Sequence, residues 1–445
     1  MPARLAPVPS SPAPAPPPPP RTAWAARLQS PLAGYYLVLG STIALVGLGL
    51  VMVLSSSSVE SLKQLHSSYT IFAKQAMFAA VGLPLAVVAA LLPTRIWKAL
   101  AWPLLVVGFG ALVLVLVAGH RVNGNQNWVN IAGLTLQPSE AVKLALVVWI
   151  AAVLERKRPL FHETVHAVVP VLPVAALMLG LVLAGHDLGT SLVLMGLVGA
   201  LMFTAGVPMR VFIGAGTFAA VAVFLLVATS ANRMSRITAW TGHSANDPTG
   251  TDWQPLHGLW ALASGGWWGL GLGESRQKWS WLPEAHNDFI FAIIGEELGL
   301  IGTLAVLALF ALLAVGLFRV VLATDDVFVK IATGGVLAWV LGQALINIGA
   351  VVGLLPVIGV PLSLVSSGGS ALVTTLIALG MVLGFARRVP GAAEALASRP
   401  SVVARSLAVL PQRTTARRES AVRRRSPTPG RGGARAGGRR NGGRA

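Results

Sequence analysis

Long apolar stretches alternate with short polar ones from Gly34 to Arg388, at roughly 34–54, 70–92, 97–119, 138–154, 164–184, 187–206, 209–228, 287–318, 327–353 and 364–387. A helix that crosses a bilayer needs about 20 consecutive apolar residues, so the pattern predicts an all-α, polytopic membrane protein of about ten spans. The fourth stretch is short and polar at its start. The eighth and ninth are long enough to tilt or to project beyond the hydrocarbon. A polar interval at 229–286 separates the seventh and eighth spans and is expected to form one large loop. Residues 1–33 and 389–445 lack apolar periodicity and are expected to be disordered tails flanking a membrane domain over 34–388.

Basic residues orient the spans, because Lys and Arg concentrate on the cytoplasmic side. With both termini inside, the inner loops hold Arg95, Lys98, Arg156, Lys157, Arg158, Arg210, Arg319 and Lys330, followed by Arg387 and Arg388. The reverse orientation would place the 156–158 cluster and the whole C-terminal tail outside. The first apolar run is a full span with no small-residue processing site, so no cleavable signal is expected.

Composition sharpens the two ends. The proline run at Pro12 to Pro20 favours an extended conformation and cannot build a core. From Arg387 onward fifteen Arg face two Glu, which is +13 of the formal +18. Such a tail suits the anionic lipids of the inner leaflet, and a membrane-tethered tail is not expected to bind nucleic acid. With no cysteine, the outer loops contain no disulfide.

Seven of the thirteen Trp fall in the large loop: Trp240, Trp253, Trp260, Trp267, Trp268, Trp279 and Trp281. Trp favours the membrane–water boundary, so the loop is expected to lie flat on the outer leaflet, a reading compatible with a second one in which it adds a contact surface for sugars or a lipid-linked substrate. The run Gly265 to Gly273 lacks the Gly-Lys-Ser/Thr of a nucleotide loop and is expected to be a turn-rich hairpin.

Four polar motifs begin even-numbered spans: QPSEAVK at 137–143, HDLGT at 186–190, AHNDF at 285–289 and SSGGS at 366–370. Every even-numbered span runs from outside to inside, so all four sit at outer helix N-termini. Such ends carry unpaired N–H groups and partial positive charge, which suit phosphate or carboxylate. Either they converge into an anion-binding bowl or they are separate caps. Glu140 and Lys143 share a helix face and form either a cavity lining or a structural ion pair. Asp288, Ala292, Gly295 and Gly299 form one stripe, suited to a cavity or to close helix packing. Glu296 and Glu297 are expected to be buried hydrogen-bonding partners, and Gln343 with Asn347 to bond between helices. His286 is expected to be a solvated loop histidine.

The segments PEAHNDFIFAIIGEELGLIG (283–302), QPSEAVK, HDLGT, NIGAVVGLLPVIGVPL (347–362) and SSGGSAL resemble the signatures of the SEDS family of shape, elongation, division and sporulation proteins. Their order agrees over about 355 residues, and they are closer to the cell-division branch than to the elongation branch. The resemblance implies a peptidoglycan glycosyltransferase of the bacterial plasma membrane. It would polymerise lipid II on the outer face, at the division septum, with a class B penicillin-binding transpeptidase and other division-complex membrane proteins as partners.

It also implies that the family's essential outer aspartate falls on Asp288, its fourth-span cavity residues on Glu140 and Lys143, and a tryptophan on Trp128. Lipid II is α-linked to diphosphate and the polymer is β-linked, so one inverting displacement suffices. Asp288 is the candidate general base. Lys143, Arg233, Arg236 and Lys278, the outer end at Ser367, Gly368 and Gly369, and a divalent cation such as Mg or Mn are candidates for receiving the diphosphate. For Arg233 and Arg236 the alternative is attraction to lipid headgroups. Two further function classes remain open, a lipid II flippase or transporter and a non-catalytic division scaffold.

Overall fold

The computed structural model describes residues 30, 32–122, 125–131, 133–161, 163–241, 253–279 and 281–392. The expected tails lie almost wholly outside the described residues, as does part of the large loop. Among the described residues thirteen α-helices run in order: α1 Ala33–Leu65, α2 Thr70–Leu91, α3 Thr94–Ala118, α4 Pro138–Lys157, α5 Thr164–Val168, α6 Val171–Ala184, α7 Leu188–Ala205, α8 Met209–Ala228, α9 Ala231–Trp240, α10 Trp253–Gly265, α11 Ile290–Ala323, α12 Val327–Val351 and α13 Gly369–Ala386. Between α3 and α4 the strands β1 His120–Val122, β2 Asn125–Ile131 and β3 Leu134–Leu136 form a small antiparallel sheet in that order.

Among the described residues eight helices (α1, α2, α3, α7, α8, α11, α12 and α13) are long and apolar enough to cross a membrane. The other two expected spans exist as helices of a different character. Helix α4 is buried along nearly its whole length, including Glu140 and Lys143. Its low amphipathicity follows from that central position, since a helix covered on every side needs no polar face. The fifth expected span is split, because Val169 is extended and Pro170 has no N–H to donate; α6 keeps only 14 residues.

The first span also departs from its expected end near residue 54. Helix α1 continues through Ser55–Ser58 to Leu65, and its 33 residues span about 50 Å, well beyond a hydrocarbon core. Ser56 and Ser57 are buried, and Ser55 donates to Glu297 at 2.7 Å, so the tetraserine is a packing face rather than a loop. Its far end carries Glu60.

Helix α11 is broken at Gly299, whose φ of 68° and ψ of −165° belong to a region open essentially to glycine alone. The Gly265–Gly271 turns fill the break: Leu270 N donates to Glu296 O (2.9 Å), Gly271 N to Glu297 O (3.0 Å) and Leu300 N to Gly266 O (2.9 Å). Non-helical backbone at this depth is tolerated because the protein itself satisfies it. The sequence reads through this break as one continuous span.

Candidate functional site

The loop ahead of α11 is fixed through its backbone. Three consecutive carbonyls accept hydrogen bonds from other elements: His286 O from Ser367 N (3.0 Å), Asn287 O from Ser366 Oγ (2.6 Å) and Asp288 O from Asn347 Nδ2 (2.8 Å). Asn347, on α12, also donates to Val360 O at 2.8 Å, tying the loop to the 353–362 segment. Glu284, at φ 56°, turns the chain so that its carbonyl accepts from both Asn287 N and Phe289 N. Asp288 is therefore anchored at its own carbonyl by Asn347 and through the two preceding carbonyls by Ser366 and Ser367, while its Oδ1 is buried and accepts no hydrogen bond.

Electrostatics at Asp288 follow from this enclosure. Burial disfavours its charged form, and the Glu284 carboxylate adds to the effect, while Arg236 and His286 oppose both. The carboxyl is pushed up to about 7. A cavity of ≈ 10 Å³, about one water, lies against Asp288 and Asn347. It shares Ala350 and Val357 with a wider cavity of ≈ 90 Å³ lined by Arg236, Trp240 and Gln254. Arg236 Nη1 donates to Val357 O at 3.1 Å, and Trp240 Nε1 to Gly353 O at 3.0 Å. Asp288 thus closes one end of a groove whose other end carries a guanidinium and an indole.

The four outer motifs meet. Gln137 N donates to Ser370 Oγ (3.2 Å), and Gln137 Nε2 to Asp187 Oδ2 (3.3 Å). Asp187 caps α7 by accepting from Thr190 N at 2.9 Å, and also accepts from Asn127 Nδ2 at 2.8 Å. The bonds from Ser366 and Ser367 join the last motif to AHNDF. The helix ends of the fourth, sixth, eighth and tenth expected spans form one cluster.

Other candidates are placed differently. Lys143 Nζ pairs with Glu140 Oε1 at 2.7 Å and donates to Gln343 Oε1 at 2.9 Å, over the Trp339 ring, and both charges are buried. Lys278 is buried too: its Nζ pairs with Glu297 Oε1 at 3.2 Å and donates to Gly273 O. Its ammonium turns into the protein, toward Glu297. Glu296 accepts from Ser275 Oγ and Arg276 N. Arg233 Nη1 donates to Leu226 O at 3.0 Å. Trp128 is half-buried in β2, paired with His120. Gly369 lies against Phe78, with no room for a β-carbon.

His286 is not a solvated loop residue. Its Nδ1 lies 3.1 Å from Glu60 Oε2, and its side chain is 14% exposed. Burial works against its charge, but Glu60, and behind it Glu284 and Asp288, outweigh burial and hold its pKa above the ordinary value. Sequence reasoning missed Glu60 altogether, because the tetraserine before it marked the end of a span. It also missed Ser366 and Glu284 as loop-holding residues; the SSGGS motif was the available signal for the former. Among the described residues no group of three or more His, Asp or Glu side chains is placed to hold a metal ion.

Comparison with known proteins places this geometry in context. The family model for FtsW, RodA and SpoVE, described as a cell cycle protein, matches residues 36–389. A Mycobacterium tuberculosis protein named "Probable peptidoglycan glycosyltransferase FtsW" is 38% identical over 418 residues, covering 92% of this chain and 79% of the relative. A protein of the same name from Trichlorobacter lovleyi is 37% identical over 355 residues, covering 79% and 93%. Among solved structures, a chain from a peptidoglycan synthase complex that coordinates polymerization and crosslinking superposes with a TM-score of 0.63 at 28% identity, covering 79% of this chain and 96% of that one. Thermus thermophilus RodA, a rod shape determining protein, superposes at 0.58 and 28% identity, covering 80% and 97%.

Proposed function

The chain belongs to the FtsW, RodA and SpoVE family of cell cycle proteins, and from that premise we propose that Asp288 is the general base with which it polymerises lipid II. It is a membrane protein and a peptidoglycan glycosyltransferase of cell division. The acceptor sugar's hydroxyl gives its proton to the Asp288 carboxylate as its oxygen attacks the anomeric carbon of the donor. The bond from that carbon to the diphosphate oxygen breaks on the opposite face, and undecaprenyl diphosphate leaves with the electron pair. One displacement converts an α linkage into a β linkage.

The observation that carries this reading is the state of Asp288: a backbone-clamped carboxyl with an unpartnered oxygen and a pKa of about 7, at the closed end of a groove. A base is most effective when its pKa lies near the working pH. Arg236, at the other end of the groove, is the protein group best suited to the developing diphosphate charge. Arg233, Trp128 and the outer end at Ser367, Gly368 and Gly369 are second-rank candidates for substrate contact, and a divalent cation is a further candidate at the diphosphate.

The working unit in this reading is a complex with a class B penicillin-binding transpeptidase, supported by the structural likeness to a chain of a peptidoglycan synthase complex. Polymerisation occurs on the outer face, at the septum, with both termini cytoplasmic. Purified Asp288→Asn, assayed with its transpeptidase partner on lipid II in detergent, is expected to lose roughly 10²- to 10⁴-fold in polymerisation rate. Glycan synthesis at the native rate by that variant removes Asp288 from the chemistry.

A further inference from the structure

Ser366, Ser367 and Asn347 clamp the loop through its carbonyls, whereas Glu60, on α1, meets a side chain of the loop, its Oε2 lying 3.1 Å from His286 Nδ1. The overlong α1 is what makes this contact: its last turns rise past the point where the apolar sequence ends, and bring a carboxylate to the loop. We propose that Glu60 is a positioning residue of the polymerase, which holds His286 as an imidazolium and thereby keeps the Asp288 carboxylate available as base. This rests on the reading of Asp288 as base.

The charges around the pair give the direction. His286 faces Glu60 from α1, and Glu284 and Asp288 from its own loop, and burial opposes its protonation. Glu60 is the only one of the three carboxylates at ion-pair distance among the described residues. Asp288 in turn faces Glu284 and Asp187, which make its ionisation harder, and Arg236 and His286, which make it easier. In this proposal Glu60, at ion-pair distance from His286, acts on Asp288 through the imidazole. Neutralising Glu60 weakens the hold on the His286 proton. Losing that proton removes one of the two positive groups that support a charged Asp288 against Glu284. The same contact fixes the imidazole ring and with it the turn that starts at Glu284.

The test compares pH–rate profiles of lipid II polymerisation by the full-length chain with its transpeptidase partner: native, Glu60→Gln, Glu60→Asp and Asp288→Asn. The native acid limb is expected to fall away as pH drops through about 7, because a base must be ionised. In Glu60→Gln the limb is expected to move up by about one pH unit, with the high-pH plateau retained, and Glu60→Asp to bring it back toward native. A limb that stays in place in Glu60→Gln while Asp288→Asn is inactive overturns the role of Glu60 alone. Activity in Asp288→Asn removes the base itself and this proposal with it. NMR of the isotopically labelled histidines, with His286 assigned by its loss in His286→Gln, gives a readout independent of turnover. The His286 titration midpoint is expected to fall in Glu60→Gln, and an unchanged midpoint overturns the proposal.

Discussion

Lys278 and Glu297 show how differently a charge behaves once its neighbours are known. On sequence alone Lys278 is a cation in an expected outer loop next to the Asp288 segment, a natural partner for diphosphate. In the fold its ammonium is buried against Glu297, Gly273 O and Ser55, and Glu297 is fully enclosed. Removing one member of such a pair strands the other charge, at a cost of about 3–5 kcal/mol. Lys278→Met is therefore expected to lower the thermal unfolding temperature, and Lys278→Met with Glu297→Leu to recover part of the loss. A Lys278→Met protein of native stability that needs more lipid II to reach half-maximal rate would instead restore the substrate contact. The Glu140–Lys143 pair was legible because both charges lie one turn apart on a single helix. The bond from Lys143 to Gln343 was not, since no local pattern links positions 200 residues apart.

At the scale of elements, the sequence is most informative where hydrophobicity is uniform and least informative where the backbone departs from it. The break in α11 falls within GEELGLIG, whose glycines read equally well as a helix-packing stripe. Only the opposing glycines at Gly265–Gly271 make the break intelligible, because their turns must approach the α11 backbone more closely than a β-carbon allows. A β-carbon on Gly269 would meet Glu297 O, and one on Gly299 would meet the Trp267 backbone. Gly299→Ala is thus expected to cost at least about 1–3 kcal/mol in backbone strain alone, seen as a lowered unfolding temperature in detergent. Gly214→Ala, in α8 with open space around it, is expected to leave that temperature unchanged. Equal stability of the two variants would mean that the hairpin does not lock the break. The same reasoning covers α1, where four serines looked like a terminus because hydropathy does not register a polar face buried against a neighbouring glutamate.

For the whole molecule, parity carried the argument. Once the spans are counted, every even-numbered one starts on the same side, so four polar helix starts must share a side whatever their packing. That they also touch, through Gln137, Asp187, Ser370, Ser366 and Ser367, is tertiary information that no single motif contains. The expectation of which side they share rests on the positive-inside asymmetry alone, and the proposed outer-face reaction depends on it. The absence of cysteine makes a clean measurement possible, because a single introduced thiol has no competitor. Tyr69, 65% exposed between α1 and α2, lies at the end that carries Glu60 and Asp288, and Arg158, exposed after α4, lies at the other. In right-side-out vesicles a membrane-impermeant maleimide is expected to label Tyr69→Cys at once and Arg158→Cys only after permeabilisation. The opposite pattern would turn the Asp288 groove toward the cytoplasm. A polymer growing outside the membrane could not then be drawn from it, however well the carboxyl is poised.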